Sequence, residues 1–161
     1  MVLLCGCGMP KQKGLVYVND LESIKGWTQL NLTKKIAHSG LYSNKFDSSH
    51  VYGLTFNQLF RELSDDKITK AKVSFWIYMD KNASGKLVLE VKKPNNTDAL
   101  WTAKNLADIV PKRGEWQQVN LNFTLNDSIN KPENAIAIYP WNLSKGNFYI
   151  DDMRIEFILG Y

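Results

Sequence analysis

The chain is poor in the residues that carry thiol and soft-metal chemistry. It has 2 cysteines and 2 histidines in 161 residues, too little for a zinc centre, which takes about four such ligands. Both cysteines lie at the front, Cys5 and Cys7. The body must therefore stand without disulfides, which a domain of roughly 150 residues can do. No apolar run approaches the ~20 residues that a membrane-spanning helix needs. Charge of one sign is not concentrated: Lys+Arg 20 against Asp+Glu 16 leaves a net +4. The basic residues are scattered and form no stripe, so no nucleic acid is implied. A Gly-rich phosphate loop and a Ser nucleophile elbow are both missing, as are internal repeats and low-complexity tracts. The length allows one domain at ~100–200 residues each, and 44% hydrophobic with 22% charged residues excludes a disordered chain.

Rings are abundant instead: Trp 5, Tyr 7 and Phe 7 make 12% of the chain. Where they point depends on the hydrophobic period, which is two almost throughout. Val73, Phe75, Ile77 and Met79 alternate with Ser74, Trp76, Tyr78 and Asp80. Leu87, Leu89 and Val91 alternate with Val88, Glu90 and Lys92, and Val119, Leu121 and Phe123 with Asn120, Asn122 and Thr124. Ile136 and Ile138 alternate with Ala137 and Tyr139, and Met153, Ile155 and Phe157 with Asp152, Arg154 and Glu156. Such alternation sets one face on a core and the other toward solvent. Pro, Gly and Asn clusters separate the runs, at 81–85, 94–96, 111–114 and 142–146. Only 57–63 and 105–110 have helical spacing, and both are short. The pattern predicts an all-β antiparallel two-sheet sandwich, a jelly roll of roughly eight to ten strands.

The positions facing out of that sandwich carry an unusual set. Trp76 and Tyr78 leave one strand, Glu90 and Lys92 the next, Asn120 and Asn122 another, and Tyr139 and Trp141 a fourth. Trp101 follows the turn at 94–96, and the pattern does not fix its facing. A group of solvent-facing rings marks a binding surface. Rings stack on the C–H faces of sugars, and Asn, Glu and Lys hydrogen-bond the hydroxyls. Large rings are also common core residues; Trp27 after Gly26 and Trp116 after Gly114 read as structural.

Five segments in order complete the pattern: Asn19-Asp20-Leu21-Glu22 with Gly26-Trp27; Ala37-His38-Ser39-Gly40-Leu41-Tyr42-Ser43; Val73 to Tyr78; Gly114-Glu115-Trp116 to Val119; and Phe148-Tyr149-Ile150-Asp151-Asp152-Met153. Over residues 15–158 the chain resembles the jelly-roll carbohydrate-binding modules of the galactose-binding-like superfamily. The resemblance implies a glycan ligand, bound on the concave sheet face or in the end loops; the outward aromatics favour the face. It also implies a structural calcium ion, whose matching positions are Asp20 or Glu22, the backbone near Ser39, and Asp151. Calcium takes hard oxygen donors. Asp151 has the parity of Met153 and Ile155, so it is expected to point inward, where a carboxylate needs a cation or donors. The other reading is a hydrogen-bonded Asp that ties strand ends together.

At the N-terminus, Leu4-Cys5-Gly6-Cys7 fits a bacterial lipobox, in which Cys7 is acylated and the preceding residues are removed. The other readings are a frayed tail with two idle thiols and a Cys-X-Cys metal pair. Residues 1–14 are thus expected to be a lipoprotein signal remnant and linker, and 15–161 the module. The expected place is the bacterial cell envelope or outside it, with membrane contact only through the lipid, and the expected state a monomer. Catalysis lacks a visible constellation. Asp65-Asp66 reads as a solvated loop, and the Glu-X-Asp-X-X-Glu strand of jelly-roll glucanases is missing. A glycosidase pair would have to be assembled from distant residues such as Glu90 and Glu115. The expectation is non-catalytic glycan binding. A structural or protein-interaction domain of a surface lipoprotein stands second and a glycoside hydrolase third.

Overall fold

The structure, a computed structural model, describes residues 14–23 and 26–160. The lipobox and its expected acylation site Cys7 lie outside the described residues. Ten strands form two antiparallel sheets, as the period-two pattern predicts. The six-stranded sheet has the order β2 (Leu32–Thr33), β3 (Ser43–Phe46), β10 (Phe148–Leu159), β5 (Ile68–Met79), β8 (Trp116–Thr124), and β1 (Gly14–Asn19) also pairs with β10. The four-stranded sheet has the order β4 (Phe56–Leu59), β9 (Ala135–Asn142), β6 (Gly85–Lys92), β7 (Asp98–Asn105).

Between the sheets lies one core. Phe75 and Ile77 of β5 and Phe157 of β10 meet Leu87 and Leu89 of β6 and Ile136 and Ile138 of β9, each at most 1% exposed. These are the inward members of each alternation, so the phase of these strands agrees with the sequence pattern. Rings add shape-specific contacts to the buried area: Phe56 lies 5.4 Å from Trp27 and 5.6 Å from Phe157. Trp27 is structural, as expected.

From β5 onward the chain keeps crossing the sandwich. Of the strands from β5 on, only β6 and β7 follow one another in one sheet, joined across the turn at 93–97, where Lys93 and Thr97 close a backbone hydrogen bond of 2.9 Å. The other steps, β5 to β6, β7 to β8, β8 to β9 and β9 to β10, change sheet. Neighbours in sequence are therefore often on opposite faces of the molecule.

Two local expectations are corrected. The helical spacing at 57–63 belongs to a strand followed by a single helical turn, α1 (Phe60–Leu63), because Asn57 and Leu59 pair with Ala137 and Ala135 of β9. The short helix expected at 105–110 is present as α2 (Leu106–Ile109). The second correction concerns Asp151. Ile150 pairs with inward Ile77 and Asp151 with outward Trp76, and the register then slips before Arg154 meets Ser74. A bulge at Asp152, whose φ is 50°, inserts a residue and reverses the parity. Asp151 therefore leaves the outer face of its sheet and is buried from outside, by the loop that carries His38 and Ser39.

Candidate functional site

The outer face of the four-stranded sheet collects one half of the expected residues. On β6, Lys86, Val88, Glu90 and Lys92 face out. Lys86 lies across from Trp141 of β9 and Asn105 of β7, Val88 from Tyr139 and Ala103, and Glu90 from Ala137 and Trp101. Trp101, whose facing the pattern left open, thus joins Tyr139 and Trp141. The alanines at 103 and 137 are too small to fill the space between the rings. An open groove of about 320 Å³ results, lined by Tyr52, Asn57, Glu90, Lys92, Ala137 and Tyr139, with Gln29 and Thr55 at its rim.

Four rings share this face, and two of them, Tyr52 and Tyr139, line the groove. Tyr52 lies 5.8 Å from Trp141 at 21° and meets Tyr139 edge-on at 6.0 Å. Trp101 is 44% and Tyr52 49% exposed, while Tyr139 and Trp141 are half-buried. The Lys86 ammonium stands 5.9 Å from the Trp101 ring and 6.0 Å from the Trp141 ring, which places a cation against both indoles. The Tyr139 hydroxyl donates to Glu90 Oε2 at 3.1 Å. Burial, then the Glu90 charge and this bond, push the phenol up to about 12. It therefore keeps its proton and fixes the carboxylate at any ordinary pH.

Tyr52 is held by its loop. Asp47 Oδ2 pairs with Lys45 Nζ at 2.6 Å, and its Oδ1 accepts the Ser49 and His50 backbone N–H groups at 2.9 Å each. The Lys45 ammonium is the largest cause that holds the Asp47 carboxyl well below the usual carboxylate range, with His50 and these N–H groups adding to it against burial. Tyr52 forms an isolated bridge with Trp141, and Asn142 N–H donates to Val51 O at 2.7 Å. The loop is thereby tied to the end of β9.

The other half of the expected set is elsewhere. Trp76 and Tyr78 of β5 and Asn120 and Asn122 of β8 do face outward, but from the six-stranded sheet, on the far side of the sandwich. The nine side chains do not make one surface, because alternation reports a residue's face within its own sheet and not which sheet the strand joins. Trp76 is also covered: the His38 ring stacks on it at 3.8 Å and 12°. Trp116, expected to be structural, packs edge-on against His38 at 5.8 Å and Tyr78 at 5.9 Å. Glu90 lies on β6, whereas Glu115 directly precedes β8 of the other sheet and pairs with Lys112 at 2.9 Å. The two carboxylates thus belong to different sheets.

Sequence reading missed Tyr52, Asn57 and Lys86. Lys86 has the parity of Val88 and Glu90 and was legible by extending that alternation two residues toward the N-terminus. Asn57 was concealed by the helical spacing that follows it. Tyr52 lies in a loop, where no period applies.

The expected calcium donors form a hydrogen-bonded clasp on the six-stranded side. Asp151 Oδ2 accepts the backbone N–H of His38 at 2.8 Å and of Ser39 at 3.2 Å, and its Oδ1 that of Asp152 at 2.8 Å. Desolvation raises its pKa above the usual value. Glu22 Oε1 accepts from Leu41 and Tyr42 N–H at 2.7 and 2.9 Å, and Asp20 Oδ1 from Glu22 N–H at 3.1 Å. The Ser39 hydroxyl donates to Asp152 at 2.8 Å. Among the described residues, no three His, Cys, Asp or Glu side chains come together as metal ligands. Asp20, Glu22 and Asp151 all offer the hard oxygens the ion takes, and of the three only Asp151 is buried.

The described residues thus form a two-sheet β-sandwich whose four-stranded sheet carries an open groove lined by rings and polar side chains. No protein-family model matches the chain, and no curated protein matches its sequence. Solved structures do match. A family 22 xylan-binding domain from Paenibacillus barcinonensis aligns with 94% of this chain and 100% of its own, at 12% identity and a TM-score of 0.64. The C-terminal family 22 carbohydrate-binding module of a Clostridium thermocellum protein aligns with 89% and 92%, at 16% and 0.61. Another family 22 xylan-binding domain of Paenibacillus barcinonensis aligns with 86% and 97%, at 18% and 0.58. The fold is that of these carbohydrate-binding sandwiches.

Proposed function

We propose that the chain is a non-catalytic carbohydrate-binding module whose ligand lies across the outer face of the four-stranded sheet. One observation carries this reading: Tyr52, Trp101, Tyr139 and Trp141 share that face, with Glu90, Asn57 and Lys92 between them. Rings take the C–H faces of pyranose units, and the carboxylate and amide take the hydroxyls. A sugar offers both kinds of surface. The structurally similar domains are named as xylan-binding, which makes a β-linked plant polysaccharide the first ligand to try.

Affinity electrophoresis through gels with soluble xylans and mixed-linkage glucans tests the proposal. Retardation on at least one polymer is expected, and it should be much reduced in Trp101→Ala. Migration unchanged on every polymer overturns the reading. Light scattering separates the interaction-domain alternative: a tight dimer that buries Trp101 and Trp141 would favour it.

A calcium ion at the Asp151 clasp is a separate proposal, supported by a buried carboxylate whose partners are neutral backbone N–H groups. A bound ion predicts a lower melting temperature in excess chelator, and an unchanged curve overturns it. Envelope attachment through Cys7 is likewise proposed from the lipobox pattern. Mass spectrometry of the mature protein, intact against Cys7→Ala, should find the acyl group only on the former.

A further inference from the structure

We infer that the groove selects glycans bearing carboxylates, of the uronic-acid class, over neutral chains. This rests on the proposed function and deepens it. The charged groups on the face are Lys86, Glu90 and Lys92 of β6, with Asp98 of β7 across from Lys92. Glu90 accepts the Tyr139 hydroxyl. Neither lysine has a carboxylate within ion-pair distance among the described residues, whereas Lys45, Lys67 and Lys112 pair with Asp47, Asp127 and Glu115.

Lys86 is also placed. Its ammonium stands 5.9 Å from the Trp101 ring and 6.0 Å from the Trp141 ring, within reach of both indoles of the face. A long, strongly hydrated cation beside the stacking platform does little for neutral hydroxyls, which Asn and Glu serve as well. To a carboxylate it offers a charge-assisted hydrogen bond. Lys92, at the groove wall, offers a second such bond further along the same strand, ~20 Å from Lys86 at strand rise. A chain with uronate units spaced along it could meet both.

Calorimetry at low salt compares glucuronoxylan with the same polymer after its carboxyls are reduced to alcohols, so that only the charge differs. The native protein should hold the acidic form about fivefold tighter, the size that two exposed ion pairs supply. The gap should narrow in about 0.5 M NaCl, where such pairs are screened. A Lys86→Met, Lys92→Gln double variant, checked by its melting curve, should bind both forms alike. Equal affinity of the native protein for the two forms overturns the preference and leaves glycan binding intact. So does a gap that survives in the double variant. A native protein that binds neither form, nor any neutral glucan, overturns the proposed function itself.

Discussion

Trp101 and Trp76 show how much a ring's role depends on what covers it. Both face outward from a strand. Trp101 is 44% exposed at the groove, while Trp76 lies under the His38 ring at 3.8 Å. The Trp101 indole is open to solvent on the four-stranded face; the Trp76 indole is already stacked by His38. Trp101→Ala should weaken glycan binding about tenfold or more, roughly 1.4 kcal/mol, with a small effect on melting. Trp76→Ala should leave the affinity within about twofold and lower the melting temperature. Calorimetry and thermal unfolding on the two variants check this, and the reverse pattern would move the site to the other sheet. The face of each residue within its strand was legible in sequence, because side-chain period in a strand is fixed by backbone geometry. Burial by a distant loop was not. His38 reaches Trp76 from far earlier in the chain, and no local pattern encodes that approach.

Two loop devices act at the scale of elements. On the groove side, Asp47 gathers Lys45, Ser49 and His50 around one carboxylate and so presents Tyr52 to the site. Its folded pKa lies well below the ordinary 3.8, so the ionised form is favoured by folding. Its stabilisation is complete above that ordinary value and is lost as the pH falls from there through the folded value. Asp47→Asn should cost about 1–2 kcal/mol and weaken glycan binding several-fold at neutral pH. Native stability should hold steady from neutral pH to about 5 and decline below about 4, followed by chemical unfolding across the range, while the folded protein keeps Asp47 ionised and its glycan affinity unchanged there. On the other side, Asp151 receives the His38 and Ser39 N–H groups and fastens the loop that caps Trp76. Asp151→Ala should cost about 1–3 kcal/mol, the scale of losing hydrogen bonds to a charged acceptor, and should red-shift tryptophan emission as the cap loosens. Unchanged stability and emission would show that the loop is held by other contacts. The acidic residues of the clasp were legible as a group. The bulge that turned Asp151 from inward to outward was not, because a single residue at φ 50° leaves the hydrophobic pattern around it unchanged.

For the whole molecule, the sandwich and its core followed from alternation and turn spacing, and the strand phase of β5, β6, β8, β9 and β10 agrees with the pattern. Sheet membership did not follow. Because the chain crosses the sandwich at most connections, the outward sets of β5 and β8 face away from those of β6, β7 and β9. One surface expected from sequence is two surfaces in space: among the described residues the groove on the four-stranded face is lined by Tyr52 and Tyr139, whereas a smaller one on the six-stranded face, lined by Asn120, Asn122, Arg154 and Glu156, has no ring. The two sides differ accordingly. The loop at 36–42 stacks on the Trp76 end of the six-stranded face, whereas the four-stranded face carries the groove between Tyr52 and Tyr139.

The central claim is therefore positional, and the five tryptophans report on it together. Their indole N–H signals, followed by nuclear magnetic resonance while a xylan-derived oligosaccharide is added, should divide in two. Trp101 and Trp141 should shift with saturation, and Trp27, Trp76 and Trp116 should stay in place. Shifts at Trp76 and Trp116 with Trp101 and Trp141 unmoved would contradict the account.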